Sequence, residues 1–282
     1  MYINIHETQH LDTLFDEVSL VWYLVALGVI QGFFEWLPVS SKSMLMLFSS
    51  IFLGYTTQLS YAIAMALQGG TVVSASMYFY RDLLDVLRPR YRYMLKFLVV
   101  ATAVTGAVGV PLYIFVEKVL VRKLDLGGSA FLIGLLLLMQ ILFRKTVKRY
   151  RVKDIDDINL IDSIIFGCIQ ALSVFPGVSR SGITIAALLY LGYRVEDALK
   201  LSFIASIPAN IGATITTFIL CGEALDILPI ESLAIALATS AIIGIATIDI
   251  LIKLASKHSI PTTLSIAVIS IVLGITYSYY ST

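Results

Sequence analysis

Long apolar stretches follow one another along most of the chain. A bilayer core of about 30 Å requires about 20 apolar residues in a helix. Six stretches meet this requirement and are predicted to span the membrane: residues 59–80, 93–116, 126–143, 198–220, 232–254 and 262–280. The pattern predicts an all-α polytopic membrane protein with about six full spans, built as a single integral membrane domain over residues 1–282.

Two further apolar regions, residues 18–53 and 160–192, are interrupted in the middle by polar residues. Each interruption contains a proline, Pro38 or Pro176, and a cluster of serines. Irregular backbone at membrane depth persists only where it is buried in protein or lines a wet cavity. We therefore predict two re-entrant helical hairpins. The alternative in each case is one ordinary span followed by a surface loop.

The distribution of Lys and Arg agrees with this layout. Thirteen of them fall in the loops predicted to be inside, against three in the loops predicted to be outside. Positive charge concentrates on the cytoplasmic side of membrane proteins. The bias places both termini outside, and it requires both broken regions to be re-entrant, the first entering from outside and the second from inside. We expect a multi-pass protein of the cell (plasma) membrane.

The amino-acid composition also indicates a membrane protein. Hydrophobic residues make up 58% of the chain and charged residues only 14%, whereas soluble domains carry roughly 25% charged residues. The net charge of +1 gives no electrostatic reason to expect nucleic acid as a partner. Cys168 and Cys221 form neither a disulfide framework nor a metal-ligand spacing. The acidic N-terminus lacks the basic segment of a cleavable signal peptide.

The two broken regions resemble each other. Gly-x-Ile-Gln at 28–31 matches 167–170 at an offset of 139, and Val39-Ser40 matches Val178-Ser179 at the same offset. Leu-Gly-Tyr at 53–55 matches 191–193 at an offset of 138. With opposite entry sides, this describes an inverted-topology repeat of residues 18–143 and 160–280. Such repeats place their site at the repeat interface, on broken helices. Chance similarity between short apolar segments is the alternative.

In the first interruption, Gln31 and Glu35 are four residues apart and share a helix face. A carboxylate within an apolar segment is costly and marks a candidate functional site. Glu35 is therefore a candidate base or ion-binding group, and a structural ion pair with Lys42 is the alternative. Pro38 ends the helix. Ser40 is then placed to cap the next helix, whose N-terminus suits phosphate.

The second interruption carries Arg180 between two serines, with Gly177 and Gly182 nearby to allow a close approach of the backbone to a ligand. Arginine presents a forked donor that matches phosphate oxygens. Its hydroxyl neighbours are Ser179, Ser181 and Thr184. The alternative is an Arg180 side chain that reaches out to the lipid headgroups.

A third polar interruption is Gln68, in a Gln-Gly-Gly sequence within a span. It is either a helix-packing position or a wall of the site.

Two broken helices that each offer an N-terminus and a cation suit an anionic head group, and their apolar surroundings suit a lipid tail. A lipid phosphate or diphosphate satisfies both. Glu35 would activate water or a hydroxyl, or hold a divalent ion. Ser41 or Ser40 would be the nucleophile. Arg180 and Lys42 would stabilise the developing charge.

These two sequences, Gln-x3-Glu-x-Leu-Pro-Val-Ser-Ser at 31–41 and Pro-Gly-Val-Ser-Arg-Ser-Gly at 176–182, resemble the signatures of the undecaprenyl-diphosphatase, or bacitracin-resistance protein, family. The resemblance implies an inverted-repeat membrane phosphatase that converts undecaprenyl diphosphate to the monophosphate carrier lipid. It implies a divalent cation, Mg²⁺ or Ca²⁺, with Glu35 as the candidate ligand. It places Glu35, Ser41 and Arg180 in catalytic positions and assigns supporting, substrate-binding positions to Gln31, Ser40, Ser179, Ser181 and Thr184. The residue pattern itself adds Lys42 and Gln68 as candidate substrate-binding residues.

One position departs from the resemblance. Met44 stands where the family carries a catalytic histidine, and Met transfers no proton. Either Ser41 and Glu35 perform the chemistry with extra charge from Lys42, or hydrolysis is weak or absent. A transporter of the polyprenyl-phosphate carrier lipid, with little or no hydrolysis, is therefore the second hypothesis. The oligomeric state is left open, with a homodimer among the options.

Overall fold

The computed structural model describes residues 17–37, 39–121 and 153–254, together with positions 128, 131, 133–136, 138 and 139. Short 3-10 turns lie at Pro89–Tyr91, Ile155–Asp157 and Leu172–Val174, and a π-helical turn lies at Val116–Val121. The described α-helices, in chain order, are α1 (Glu17–Phe34), α2 (Ser41–Phe52), α3 (Thr57–Ala66), α4 (Gln68–Tyr78), α5 (Tyr80–Val86), α6 (Arg92–Phe115), α7 (Leu160–Ala171), α8 (Arg180–Tyr190), α9 (Val195–Leu225) and α10 (Ile230–Leu254).

Three helical stretches in the described part of the chain are long and apolar enough to cross a bilayer: Pro89–Val121, Val195–Leu225 and Ile230–Ile250. They coincide with the predicted spans 93–116, 198–220 and 232–254. The predicted span 59–80 corresponds to Thr57–Tyr78, which meets Tyr80–Val86 at a bend of 77° and is a fourth candidate. The predicted span 262–280 and most of 126–143 lie outside the described residues. The chain is an all-α, multi-pass membrane protein.

Both interrupted regions are pairs of helices. Their apolar helices Leu20–Phe34, Ser41–Phe52 and Leu160–Val174 are shorter than a membrane crossing. Each pair ends in a glycine with positive φ, Gly54 at 64° and Gly192 at 97°, a conformation that favours glycine. The two regions thus share one construction: a helix, a polar break, a short helix and a left-handed glycine.

Each broken region packs through a glycine against a helix that follows the other region in sequence. A Cβ added at Gly32 in α1 would lie 2.6 Å from the carbonyl oxygen of Ser240 in α10. A Cβ added at Gly167 in α7 would lie 2.7 Å from the carbonyl oxygen of Ala101 in α6. Such contacts, typical of membrane helices, require a residue without a side chain. Each broken region therefore packs against a helix of the other half of the chain: α1 packs on α10, and α7 packs on α6.

The polar breaks lie beside buried aromatic residues, while large apolar side chains cover the outer surface. Trp36 is 1% exposed, and its ring meets that of Phe203 edge-on at 5.1 Å between centroids. On the outside, Trp22 is 68% and Ile219 74% exposed. Apolar side chains on the outside and polar ones within are the arrangement that a lipid solvent selects.

Candidate active site

The two polar breaks are in direct contact. The hydroxyl groups of Ser179 and Ser181 both donate to the carbonyl oxygen of Leu37, at 3.3 and 2.9 Å. Leu37 lies in the turn that follows α1, and the two serines lie at the start of α8. Since about 140 residues separate them in sequence, only the tertiary fold brings the two predicted halves of the site together.

The Glu35 carboxylate accepts hydrogen bonds from four side chains on four helices. Ser41 donates to Oε2 at 2.6 Å and Gln31 donates to the same oxygen at 3.0 Å. Arg180 donates to Oε1 at 2.8 Å and Asn210 to the same oxygen at 3.2 Å. A buried charge is stable only when it is paired and fully hydrogen-bonded. These donors from α1, α2, α8 and α9 meet that condition.

Arg180 is the buried cation of this pair. It is 5% exposed, its NH2 group contacts Glu35, and NH1 donates to the carbonyl oxygen of Ser202 at 3.4 Å. Its guanidinium lies over the Trp36 ring at 5.6 Å from the centroid. Its Nε has no hydrogen-bond partner in the described part of the chain. A buried donor without a partner is rare in folded proteins, so Arg180 keeps one donor for a further acceptor.

Two alternatives from the sequence are wrong. The salt bridge of Glu35 is made with Arg180 and not with Lys42. Arg180 does not extend to the lipid headgroups, because its side chain is buried. Lys42 itself is 4% exposed, and within the described residues its ammonium group has neither a hydrogen bond nor a salt bridge. The site thus holds two cations and one carboxylate, so it has a surplus of positive charge.

Lys42 and Arg180 line the same cavity, of about 120 Å³. Gln68 and Gln170 add amide groups to its wall. Both glutamines are almost fully buried, and the Oε1 atom of Gln170 has no partner among the described residues. The cavity therefore has cationic and polar groups on one wall, and Gln68 is a wall residue.

Ser40 and Ser179 have the same structural role in the two halves. Ser40 caps α2 by accepting from the Ser43 amide at 3.4 Å, as its sequence position predicts. Ser179 caps α8 by accepting from the Gly182 amide at 3.2 Å. α1 ends at Phe34, ahead of Pro38, which itself lies outside the described residues. The caps start two short helices whose N-terminal dipoles favour negative charge.

Thr184 lies one turn into α8, away from the carboxylate. Its hydroxyl donates to the carbonyl oxygen of Arg180 at 2.7 Å and pairs with the Ser202 hydroxyl at 2.7 Å. Thr184 therefore connects the first turn of α8 to α9.

Met44, on α2, is half-buried and is not one of the residues that line the cavity.

Asn210 is the residue that the sequence analysis missed. It is 5% exposed on α9, and it donates both to Glu35 and, at 3.4 Å, to Thr71. Two signals were present. An amide two residues after Pro208 interrupts an otherwise apolar span. Asn210 and Thr71 are also separated by 139 residues, the offset of the repeat.

The side chains present do not form a ready divalent-cation site. No group of three or more His, Cys, Asp or Glu side chains occurs within the ranges that the structure describes. Glu35 already accepts four hydrogen bonds, and two cations lie nearby. Mg²⁺ and Ca²⁺ require several oxygen ligands, and a single saturated carboxylate does not supply them. A protein-held metal ion does not fit this site.

The fold and the site define a class: a polytopic helical membrane protein with a buried, cation-rich site where two broken helical regions meet. The chain matches the family model of the bacitracin resistance protein BacA over residues 24–276. It therefore belongs to the bacitracin-resistance protein family, as the two signature sequences predict.

Relatives called undecaprenyl-diphosphatase cover most of the chain. The protein from Sulfurisphaera tokodaii is 33% identical over 241 residues, which are 84% of this chain and 90% of that protein. The protein from Saccharolobus solfataricus is 34% identical over 265 residues, 89% and 92% of the two chains. The protein from Pyrobaculum islandicum is 34% identical over 259 residues, 89% and 96% of the two chains.

Proposed function

We propose that this protein hydrolyses a polyprenyl diphosphate, undecaprenyl diphosphate above all, to the lipid monophosphate and inorganic phosphate. The observation that carries the proposal is a Ser41–Glu35 hydrogen bond of 2.6 Å beside two buried cations: Arg180, which forms a salt bridge with Glu35, and Lys42, which follows Ser41 in the chain. Both cations line one cavity. Family membership and the name that its relatives bear support the same reaction. They favour a hydrolase over the lipid transporter.

In the proposed mechanism, Ser41 is the nucleophile and Glu35 the base. The Ser41 oxygen attacks the terminal phosphorus while its proton passes to Glu35, along a hydrogen bond that already exists. The bond from the terminal phosphorus to the bridging oxygen breaks, and the lipid monophosphate leaves. Glu35 then passes its proton to the departing lipid monophosphate or to water, which restores its carboxylate. Water attacks the phosphorus of the phosphoserine while its proton passes to Glu35. The bond from phosphorus to the Ser41 oxygen breaks, Glu35 returns the proton to that oxygen, and phosphate leaves.

Arg180 and Lys42 neutralise the charge that develops on the phosphoryl oxygens. Positioned charges in a water-poor site stabilise a transition state strongly, because they need no reorganisation. The free Nε donor of Arg180 supplies a hydrogen bond to a phosphate oxygen while NH2 stays on Glu35. Lys42, which has no salt bridge within the described residues, supplies the second positive charge.

The remaining side chains position these groups. Gln31 and Asn210 hold the two oxygens of Glu35 so that Oε2 faces Ser41. Ser40 and Ser179 start the helices whose N-termini face the anion. Ser181 and Thr184 tie α8 to its neighbours, and Gln68 offers an amide at the cavity wall.

The divalent cation that the resemblance implies stays a prediction. Because the side chains do not hold one, we propose that Mg²⁺ or Ca²⁺ arrives bound to the diphosphate, with Glu35 as the candidate protein ligand. Protein stripped with a chelator is then inactive on metal-free substrate and recovers on addition of either ion. Full turnover in chelator would contradict the requirement.

Phosphate release by the purified protein in detergent tests the function. We expect release from undecaprenyl diphosphate and its loss in Arg180→Ala. Arg194→Ala is the matched control, since Arg194 is exposed and its salt bridge in the described structure is with the exposed Asp154. Wild-type protein that releases no phosphate from any polyprenyl diphosphate would refute the proposal.

The inverted repeat, about six spans and plasma-membrane placement are also proposed. Thr71 and Asn210 lie on corresponding spans of the two repeats, within one residue of the repeat offset, and contact each other, as residues beside a two-fold axis do. The reciprocal packing of α1 on α10 and of α7 on α6 also supports an inverted repeat.

In cells, an impermeant maleimide should label Asp226→Cys but not Arg90→Cys. The mass in detergent will decide whether the protein is a homodimer.

A further inference from the structure

The cavity that holds Lys42 and Arg180 has a second wall built of small residues on two spans. Gly106 and Gly109 of α6 and Gly212 and Ala213 of α9 line it. A Cβ added at Gly106 or Gly212 would meet no atom within 4 Å. Both glycines are exposed on the surface of the protein. The cavity is therefore open to the side, between α6 and α9.

The rim of this opening faces the bilayer. Its exposed neighbours on the same two helices are apolar: Val110 is 41%, Ile211 42% and Ile215 53% exposed. α6 and α9 belong to two of the three helical stretches in the described chain that are long and apolar enough to cross a bilayer. A gap between such helices opens to lipid chains rather than to water.

The inner end of the cavity requires a polar ligand. Arg180 and Gln170 are each at least nine-tenths buried, and each has a polar atom without a partner in the described residues, Nε and Oε1. Each such atom carries a desolvation cost until a partner arrives. A phosphate oxygen satisfies Arg180 Nε, and a water or a protonated oxygen satisfies Gln170.

The cavity is large enough for the head group of a polyprenyl diphosphate but too small for its tail. Pockets that enclose a whole drug-sized ligand measure about 300–1,000 Å³, and this cavity measures about 120 Å³. A diphosphate fits inside, but a long isoprenoid chain does not. The chain must leave the cavity, and the gap at Gly106 and Gly212 is the side that opens to lipid.

We propose that the isoprenoid tail of the substrate lies in the gap between α6 and α9 and leaves the site past Gly106 and Gly212. This inference rests on the proposed function, because it takes a polyprenyl diphosphate as the occupant. Glycine at these positions keeps the gap open, and a bulky side chain would fill the path of the tail without disturbing the diphosphate end.

Two graded series test the path: Gly106→Ala, Leu and Phe, and Gly212→Ala, Leu and Phe. Undecaprenyl diphosphate is compared with isopentenyl diphosphate, whose five-carbon chain stops before the gap. We expect kcat/KM for the long substrate to fall at least about tenfold in each Phe variant, since contacts with remote parts of a substrate contribute to catalysis. The value for the short substrate should stay within about twofold.

Gly222→Phe is the matched control. An added Cβ at Gly222 also meets no atom within 4 Å, on the same helix, but Gly222 does not line the cavity. Undiminished hydrolysis of the long substrate by both Phe variants would overturn the tail path while leaving the diphosphatase proposal standing. An equal loss with both substrates would also overturn it.

Photocrosslinking on the wild-type protein gives an independent readout. Undecaprenyl diphosphate with a diazirine in its first isoprene units should label α6 and α9 around Gly106 and Gly212. Labelling confined to other helices would overturn the inference. Absence of phosphate release from wild-type protein with either substrate is a different result, because it removes the proposed function itself.

Discussion

Glu35 and Arg180 are 145 residues apart in the chain and form an ion pair of 2.8 Å in which each side chain is 4% exposed. One residue comes from each broken region, so this contact joins the two halves of the site. The surrounding donors leave Glu35 charged and leave one Arg180 donor available.

Removing one partner of this pair should destabilise the protein. In Arg180→Met the Glu35 carboxylate stays buried without its cation, and we expect a loss of about 3–5 kcal/mol. The double variant Glu35→Gln with Arg180→Met should recover most of that stability, because no charge is stranded. Neither variant should release phosphate. Unfolding in detergent measures the first effect, and a single variant as stable as wild type would contradict it.

Ser41→Ala should lower phosphate release by at least about 100-fold, because the proposed nucleophile is gone. Ser43→Ala is the control two residues away: the Ser43 hydroxyl is buried and has no partner in the described structure. Rapid quenching of wild-type turnover followed by mass spectrometry should detect phosphate on Ser41. If Ser41→Ala keeps wild-type turnover, water rather than Ser41 attacks the phosphorus.

Asn210→Leu should reduce kcat by about tenfold and leave KM within about twofold, because Asn210 positions Glu35 and does not hold the phosphate. Thr71→Val removes the longer contact of Asn210, at 3.4 Å, and the hydrogen bond from the Thr71 hydroxyl to the carbonyl oxygen of Gln68 at 2.8 Å. It leaves the contact between Asn210 and Glu35 in place and should have a small effect on kcat. Steady-state kinetics on both variants measures the difference. An equal rise in KM would show that Asn210 binds the substrate instead.

Met44→His should raise turnover by about tenfold or more, because it adds a group that can transfer a proton three residues from Ser41 on the same helix face. Met44→Leu is the matched control and should behave like wild type. Phosphate release at substrate saturation measures the gain. No gain would mean that Ser41 and Glu35 already complete the chemistry or that an imidazole at position 44 does not reach it.

Much of the site was predictable from local sequence. Ser40 and Ser179 cap their helices because each ends a proline-containing break with extended backbone and its hydroxyl accepts from the backbone amide three residues later. Gln31 reaches Glu35 because they are one turn apart on α1. These contacts depend on residues within a few positions of each other, so the order of side chains along the chain is sufficient to predict them.

The ion partner of Glu35 could not be predicted from residues close to it in the sequence. Lys42 is seven residues from Glu35 and Arg180 is far away in sequence, yet Arg180 makes the salt bridge. Asn210 was missed for the same reason, because a lone amide in a span acquires a role only when the span packs beside Glu35. Periodicity describes one helix at a time and does not say which faces of two helices meet.

By itself, the sequence determined that the protein lies in a lipid bilayer and where its helices are interrupted. A helix in lipid must form all of its backbone hydrogen bonds within itself, so the length of each apolar segment and each polar interruption can be read directly from the sequence. The tertiary structure alone decided that the two breaks touch, that Glu35 binds Arg180 and Asn210, and that the cavity opens between α6 and α9. Those outcomes depend on close helix packing at residues such as Gly32 and Gly167, which is a property of pairs of surfaces and not of either segment.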